Sequence, residues 1–304
     1  MIKIIHKKSF KGYVLAGLAA LSVSNVYIFS KSALAETPLY VFGFYWFLMA
    51  FSYNFILVTF TKKIILVRSY PPKVLKTLVV IGIFELLSAI TFFASIQQIE
   101  NPAIASFLVA TVPVFVMLMS IPLLNEKFNK IEILGVLVTL GGVFMLSYSG
   151  KFSLNELFIK GANLSLLSAI LLAVGLVIAK KNIKSIDPYL LALNRTVFLL
   201  LFYGIAMLLT YNSFHISHKA FFNIAMGSLF GPFLGAILQY NAFRFIEVSK
   251  ESLVQNTHGL FVVISVYFYL GIFPLAVQII GGIITIVGVT VMVLGKLYYQ
   301  KSNK

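Results

Sequence analysis

Apolar residues run along this chain in stretches of membrane length, broken by short polar connections. A helix crosses a bilayer with about 20 predominantly apolar residues. Ten stretches qualify, at about 12–31, 39–61, 77–97, 102–124, 131–149, 159–180, 188–210, 220–244, 252–271 and 275–295. The longest connection, about 62–76, holds Pro71-Pro72, which blocks helix continuation. The ten spans take up most of the 304 residues and leave no room for a soluble domain. The pattern predicts an all-α polytopic membrane protein in a single membrane domain, residues 1–304.

The pattern is also written twice. Residues 12–31 align with 161–180 at a shift of 149, sharing Gly12/Gly161, Leu15/Leu164, Leu18/Leu167, Ala20/Ala169 and Lys31/Lys180. Residues 131–146 align with 277–292 at a shift of 146, sharing Ile133/Ile279, Gly135/Gly281, Thr139/Thr285, Gly142/Gly288 and Val143/Val289. This divides the chain into a first five-helix repeat at 12–149 and a second at 159–296, meeting near residue 150. Five is odd, so the second repeat should enter the bilayer inverted relative to the first. Inverted repeats are an architecture of secondary transporters, whose substrate site lies at the repeat interface near the midplane.

Charge fixes an orientation. The net charge of +15 would suggest nucleic acid in a soluble protein, but its distribution says otherwise. Lysines and arginines crowd the amino terminus (Lys3, Lys7, Lys8, Lys11), the 62–76 connection, the 125–130 connection (Lys127, Lys130), the 180–184 segment, the 244–250 connection (Arg244, Lys250) and the carboxyl terminus. The intervening connections hold only Lys31, Lys151, Lys160 and Lys219, and Arg195 lies inside a span. The positive-inside rule then places both termini in the cytoplasm, and the basic residues read as contacts to anionic lipid rather than a nucleic-acid surface. The first apolar stretch is long and lacks a convincing cleavage site, so it reads as a retained helix rather than a signal peptide. With no cysteine there is neither a disulfide nor a thiolate metal site. No cofactor or metal is expected.

A charged side chain at bilayer depth costs about 3 kcal/mol on insertion scales. Glu85, near the middle of the third span, is the clearest case, with Ser88, Thr91, Phe92 and Ser95 following at helical spacing. That face suits a wet cavity, where Glu85 could exchange protons or hold a substrate ammonium; the alternative is a structural hydrogen bond between helices. In the ninth span, Ser252, Gln255, Asn256 and Gly259 form one stripe, with Thr257, His258 and Glu251 around it. The corresponding first-half stripe is Ser106, Val109, Ala110 and Pro113. A stripe polar in only one repeat fits recognition of an asymmetric solute; amide bonds between helices are the alternative. His258 is a proton relay or a structural residue. Arg195, beside Asn194, could hold a carboxylate or phosphate, or snorkel to the surface. Gly227, Gly231 and Gly235 form a small-residue stripe suited to close helix packing. Tyr240 and Asn241 follow it toward a cavity mouth, and Asn25, Trp46 and Asn54 complete the candidates. No catalytic constellation is present, so the chain is not read as an enzyme.

The run 21-LSVSNVYIFSK-31 resembles the first helix of the drug/metabolite transporter superfamily, in its ten-helix EamA branch. The stretch 102–146 is similar to the family's small-residue helix with a central proline (Pro113), an acidic residue opening the next loop (Glu126) and a glycine-containing helix (Gly135, Gly142). In the second half, 187-DPYLLALNRTVF-198 resembles the span that begins after a proline and carries an arginine, here Arg195. The chain departs from the pattern where Gly259, Ile272 and Tyr45 stand opposite Pro113, Glu126 and Arg195. The resemblance implies a central cavity lined by the first four helices of each half, with the fifth and tenth at the periphery. It implies alternating access in a bacterial inner membrane and export of amino acids or related metabolites, with protons as a coupling partner. Glu85 and the Gln255–Asn256 stripe would contact substrate, with Arg195 or Tyr240 holding the other end of a zwitterion. The alternatives are import of a host metabolite such as S-adenosylmethionine, multidrug efflux and, from a different class, a membrane-embedded enzyme or scaffold. The partners expected are a small molecule and the lipid bilayer, with the protein a monomer or a dimer.

Overall fold

The computed structural model describes residues 2–124, 129–147, 159–210, 215–246, 251, 254–255 and 257–302. Glu126, Ser252, Asn256 and the junction near residue 150 lie outside the described residues. Those described are helical throughout, with no strand among them. The helices are α1 (Ile2–Leu34), α2 (Leu39–Phe60), α3 (Leu66–Ser69), α4 (Pro72–Gln98), α5 (Pro102–Val109), α6 (Val112–Leu124), α7 (Lys130–Ser147), α8 (Ala162–Asn182), α9 (Pro188–Thr210), α10 (His218–Ser228), α11 (Ala236–Ala242), α12 (His258–Leu270) and α13 (Ala276–Ser302). Seven helical segments are long and apolar enough to cross a membrane, and two shorter apolar ones lie at His258–Leu270 and Ile279–Val291. Many large apolar side chains, Leu137, Leu201, Leu209 and Phe268 among them, point outward. That surface suits lipid rather than water.

Several elements depart from their expected outlines, and proline explains most of the departures. The fourth stretch breaks between α5 and α6 at Ala110 and Thr111. Pro113 cannot donate to the Val109 carbonyl and its ring would collide with it, so the helix restarts with Pro113 in the new first turn. The eighth stretch is continuous but widens to π geometry over Leu229–Gly235, around the internal Pro232. Asn54 in α2 donates to the Pro232 carbonyl at 3.2 Å. In the 62–76 connection the residue before Pro71, Tyr70, is extended as its neighbour requires, and Pro72 opens α4 five residues before the predicted start. Gly161 caps α8 with φ of +89°, a left-handed conformation, and a Cβ there would press on Gln98.

Apolar burial does not drive helices together in lipid, so close backbone approach and interhelical hydrogen bonds carry the packing. α7 lies against α13 along glycine contacts. A Cβ on Gly142 would fall 2.5 Å from the Thr285 nitrogen, and one on Gly288 would fall 2.9 Å from the Gly135 carbonyl oxygen. Asn129 at the start of α7 reaches the Gly295 carbonyl near the end of α13. As numbers rise along α7 their partners fall along α13, so the two run antiparallel. α4 and α8 are joined by reciprocal serine bonds: Ser88 Oγ donates to the Ser168 carbonyl at 3.1 Å and Ser168 Oγ to the Ser88 carbonyl at 2.9 Å. Ser95 and Ser165 pair in the same seam. α1 meets the α10–α11 segment through Ser22 Oγ donating to the Phe230 carbonyl and through Val23 and Val26 over Gly235 and Gly231.

Charged side chains tie the connections together at the two ends. At one end Asp187 accepts from Lys63 at 2.5 Å and Arg244 at 3.1 Å, and its backbone nitrogen donates to Tyr70 Oη. At the other, Glu36 pairs with Lys219 at 2.9 Å and accepts from Ser217, while Lys31 donates to the Ile96 and Ile99 carbonyls.

Candidate functional site

Between these ends lies a cavity of about 170 Å³, more than ten times the roughly 10–15 Å³ that admits one water. Its wall draws on α1, α2, α4, the α5–α6 break, α8, α9, the π turn, α11, the segment at 251–255 and α12, and on neither α7 nor α13. Two features position its chemistry. The break at Ala110–Thr111 brings Val109, Val112 and Pro113 to the wall, and the π turn brings Gly231 and Pro232 to it just ahead of Ala236, Gln239 and Tyr240 of α11.

Glu85 lies beside this wall, 2 % exposed. Tyr240 Oη donates to its Oε1, while Oε2 has no hydrogen-bond partner among the described residues. Arg195 of α9 lines the cavity near enough to act electrostatically on both Glu85 and Tyr240, and its Nε is also without a partner there. α4, α9 and α11 thus bring three predicted residues together, with bonding capacity left over on the carboxylate and the guanidinium.

A second polar group forms around Glu251, 1 % exposed. The side chains of Gln239 and Gln255 flank its carboxylate, yet Glu251 Oε1 and Gln255 Nε2 have no partner among the described residues. Beside it, His258 Nδ1 lies 2.5 Å from the Gln255 carbonyl oxygen. A carbonyl can only accept, so Nδ1 carries the proton and donates, which leaves Nε2 of the neutral ring to accept from Tyr27 Oη at 3.4 Å. Tyr27 also stacks on His258 with ring centroids 5.7 Å apart. Trp46, Phe47, Phe92 and Phe93 supply an aromatic wall. Trp46 packs against Phe42 and Phe93 with centroids 4.9 and 5.4 Å away, and its indole Nε1 has no partner among the described residues.

Other candidates are used differently. Ser88 reaches the cavity wall, but its hydroxyl closes the α4–α8 seam. Thr91 bonds back to Leu87 and Ser88 of its own helix. The polar face read along α4 is therefore largely a helix-packing seam. Asn25 and Asn241 each donate to the carbonyl four residues back, Leu21 and Ile237, and neither lines the cavity. Asn194 caps the Leu78 carbonyl of α4. Gly227, Gly231 and Gly235 admit Trp46, Val26 and Val23, so that stripe is a packing surface. Asn256 lies outside the described residues. Glu251, Gln239 and Tyr27 were not singled out by sequence; the signal for Gln239 was an amide inside a span, one position from Tyr240.

A family model, the EamA-like transporter family, matches residues 10–148 and again 159–294. No curated protein matches the chain by sequence. A solved structure titled only "Crystal structure of protein" superposes with a TM-score of 0.64 at 15% identity, covering 93% of this chain and 96% of its own. At that identity the likeness shows a shared fold and nothing of its function.

Proposed function

The chain belongs to the EamA-like transporter family, and from that premise we propose that it carries a small polar organic metabolite across the membrane by alternating access to the central cavity. Ten spans form two inverted five-helix repeats, 12–149 and 159–296, with both termini cytoplasmic in a bacterial inner membrane. The antiparallel crossing of α7 and α13, equivalent helices of the two matched segments, supports the inversion. The surplus of lysine in alternate connections supports the orientation.

The observation that carries this reading is the cavity, built from both halves and edged by polar atoms that lack partners among the described residues. A cavity made only for packing would have no reason to keep them. Glu85, Tyr240 and Arg195 would hold the two ends of a passenger with separated charges, an amino acid or related metabolite, in the direction of export. Glu85 would also carry the coupling proton. The Asp187 and Glu36 clusters, at opposite ends, are the contacts that opening on one side or the other must break.

The test is to screen metabolites for thermal stabilisation of the purified protein, then to measure flux in proteoliposomes with and without a pH gradient. The expected result is a solute that both stabilises and crosses. A solute that stabilises and never crosses, or a complete absence of either effect, defeats the transport reading.

A further inference from the structure

The charges around the cavity do not balance. Among the described residues the cavity has two buried carboxylates, Glu251 in its wall and Glu85 beside it, against one guanidinium, Arg195, and no lysine. The contacts of His258 to the Gln255 carbonyl and to Tyr27 Oη are ones that a neutral ring can make, so it is counted without charge. With both carboxylates ionised, the state that a bound cation favours, these described residues carry a formal charge of −1. Burying an unpaired charge is costly, so charges at such depth are paired by the protein or by what it binds. Among the described residues no partner reaches Glu85 Oε2 or Glu251 Oε1, so each carboxylate keeps one acceptor open.

We infer that the passenger bears one net positive charge and that Glu251, flanked by Gln239 and Gln255, forms the subsite for its cationic nitrogen. Glu251 Oε1 and the Gln255 amide offer an unused acceptor beside an unused donor. Tyr27, Phe92 and Trp46 line the same cavity and add the ring faces that attract organic cations. Glu85 is committed to Tyr240 and lies near Arg195, which leaves Glu251 the carboxylate without a cationic neighbour among the described residues of the wall. This inference rests on the transport reading, since it concerns what the cavity carries.

The experiment uses the full-length protein in detergent and charge-matched probe pairs: phenylalaninamide against phenylalanine, and arginine against citrulline. One member of each pair carries one net positive charge at pH 7; the other is a zwitterion of nearly the same shape. At least one cation should raise the unfolding midpoint by several degrees and bind at least tenfold more tightly than its partner. Glu251→Gln should erase that preference, and Glu251→Asp should restore part of it. Equal or tighter binding of the zwitterions overturns the inference while leaving transport standing. So does a failure of both cations to stabilise the wild-type protein, a readout that does not depend on any variant folding. Cation binding without flux in proteoliposomes would instead count against transport and leave the charge assignment intact.

Discussion

Gly142 of α7 leaves the space that the Thr285 backbone of α13 occupies, and Gly288 of α13 does the same for Thr139 of α7. Each residue of the first contact aligns with one of the second at a shift of 146. The two contacts are therefore one contact made twice about a local two-fold axis, as in the isologous interface of a symmetric dimer. Both threonines bond back four residues, Thr139 to the Gly135 carbonyl and Thr285 to the Gly281 carbonyl. That satisfies each hydroxyl within its own helix while it lies, with the threonine backbone, against the partner's glycine.

Leucine at Gly142 or Gly288 should therefore destabilise the protein. Overpacking of a tight interface typically costs about 1–3 kcal/mol, and here the obstruction is backbone that cannot swing aside. Gly141 is the internal control, because a Cβ there meets nothing within 4 Å. Thermal unfolding in detergent should show a lowered midpoint for Gly142→Leu and Gly288→Leu and little change for Gly141→Leu. Similar midpoints for all three would contradict the crossing.

The reciprocal bonds of Ser88 and Ser168 make a separable prediction. Interhelical hydrogen bonds in membranes average about 0.6 kcal/mol, with a maximum near 1.7. Ser88→Ala and Ser168→Ala should each cost that order of stability. The two hydroxyls also lie 3.2 Å apart, and either single change removes that contact, so the double variant should cost less than their sum. A structural seam also predicts that Ser88→Ala leaves substrate KM within about twofold, measured as flux in proteoliposomes.

The repeated pattern, the glycines it shares and the acidic residue of α4 were legible in sequence because each stands out from an otherwise apolar background; that Gly142 and Gly288 meet the opposite helix was not. What Ser88, Asn25 and Asn241 do was not. A short polar side chain on a helix competes for the carbonyl three or four residues back or for a neighbouring helix, and its position alone does not say which. Glu251 read as a flanking residue because it sits at the edge of the ninth apolar stretch, yet it lies in the wall of the cavity. Gln239 and Tyr240 both reach the wall although neighbours on an α-helix point about 100° apart, and the π turn ahead of them is not foreseen by helical periodicity. The breaks at Pro113 and Pro232 were visible as prolines; their geometry was set by tertiary contacts such as Asn54 on the Pro232 carbonyl.

Asp187 gives the pH dependence a sign. Burial alone would raise its pKa, but the Lys63 hydrogen bond, the Tyr189 N–H and the Arg244 contact outweigh it and hold the carboxyl below its usual range. A carboxylate whose folded pKa is depressed contributes stability that is present above its unfolded value, about 3.9. That contribution is lost as pH falls through the folded pKa. Glu36 has the same sign, through its Ser217 and Lys219 contacts. The unfolding midpoint should hold these contributions between pH 5 and 7 and fall below about pH 4 as they are lost. Asp187→Asn should lower the midpoint at pH 7, and its difference from wild type should shrink in acid. A constant difference down to pH 3 would show that the ion pairs contribute nothing.

Glu85 and Tyr240 allow coupling to be separated from structure. Tyr240→Phe keeps the ring on the cavity wall but removes the only donor that reaches the carboxylate among the described residues. Glu85→Gln keeps the shape and removes the charge. If Glu85 carries the coupling proton, Glu85→Gln should still exchange substrate down its own gradient but should no longer respond to an imposed pH gradient. Tyr240→Phe should keep that response, because the carboxyl group remains. It should lose stability of the order of 1.5–3 kcal/mol, typical of a hydrogen bond to a charged group. Flux in proteoliposomes with and without the gradient tells these apart. Glu85→Gln that remains gradient-driven at the wild-type rate rules out the proton role and leaves the Tyr240 bond as a purely structural link between α4 and α11.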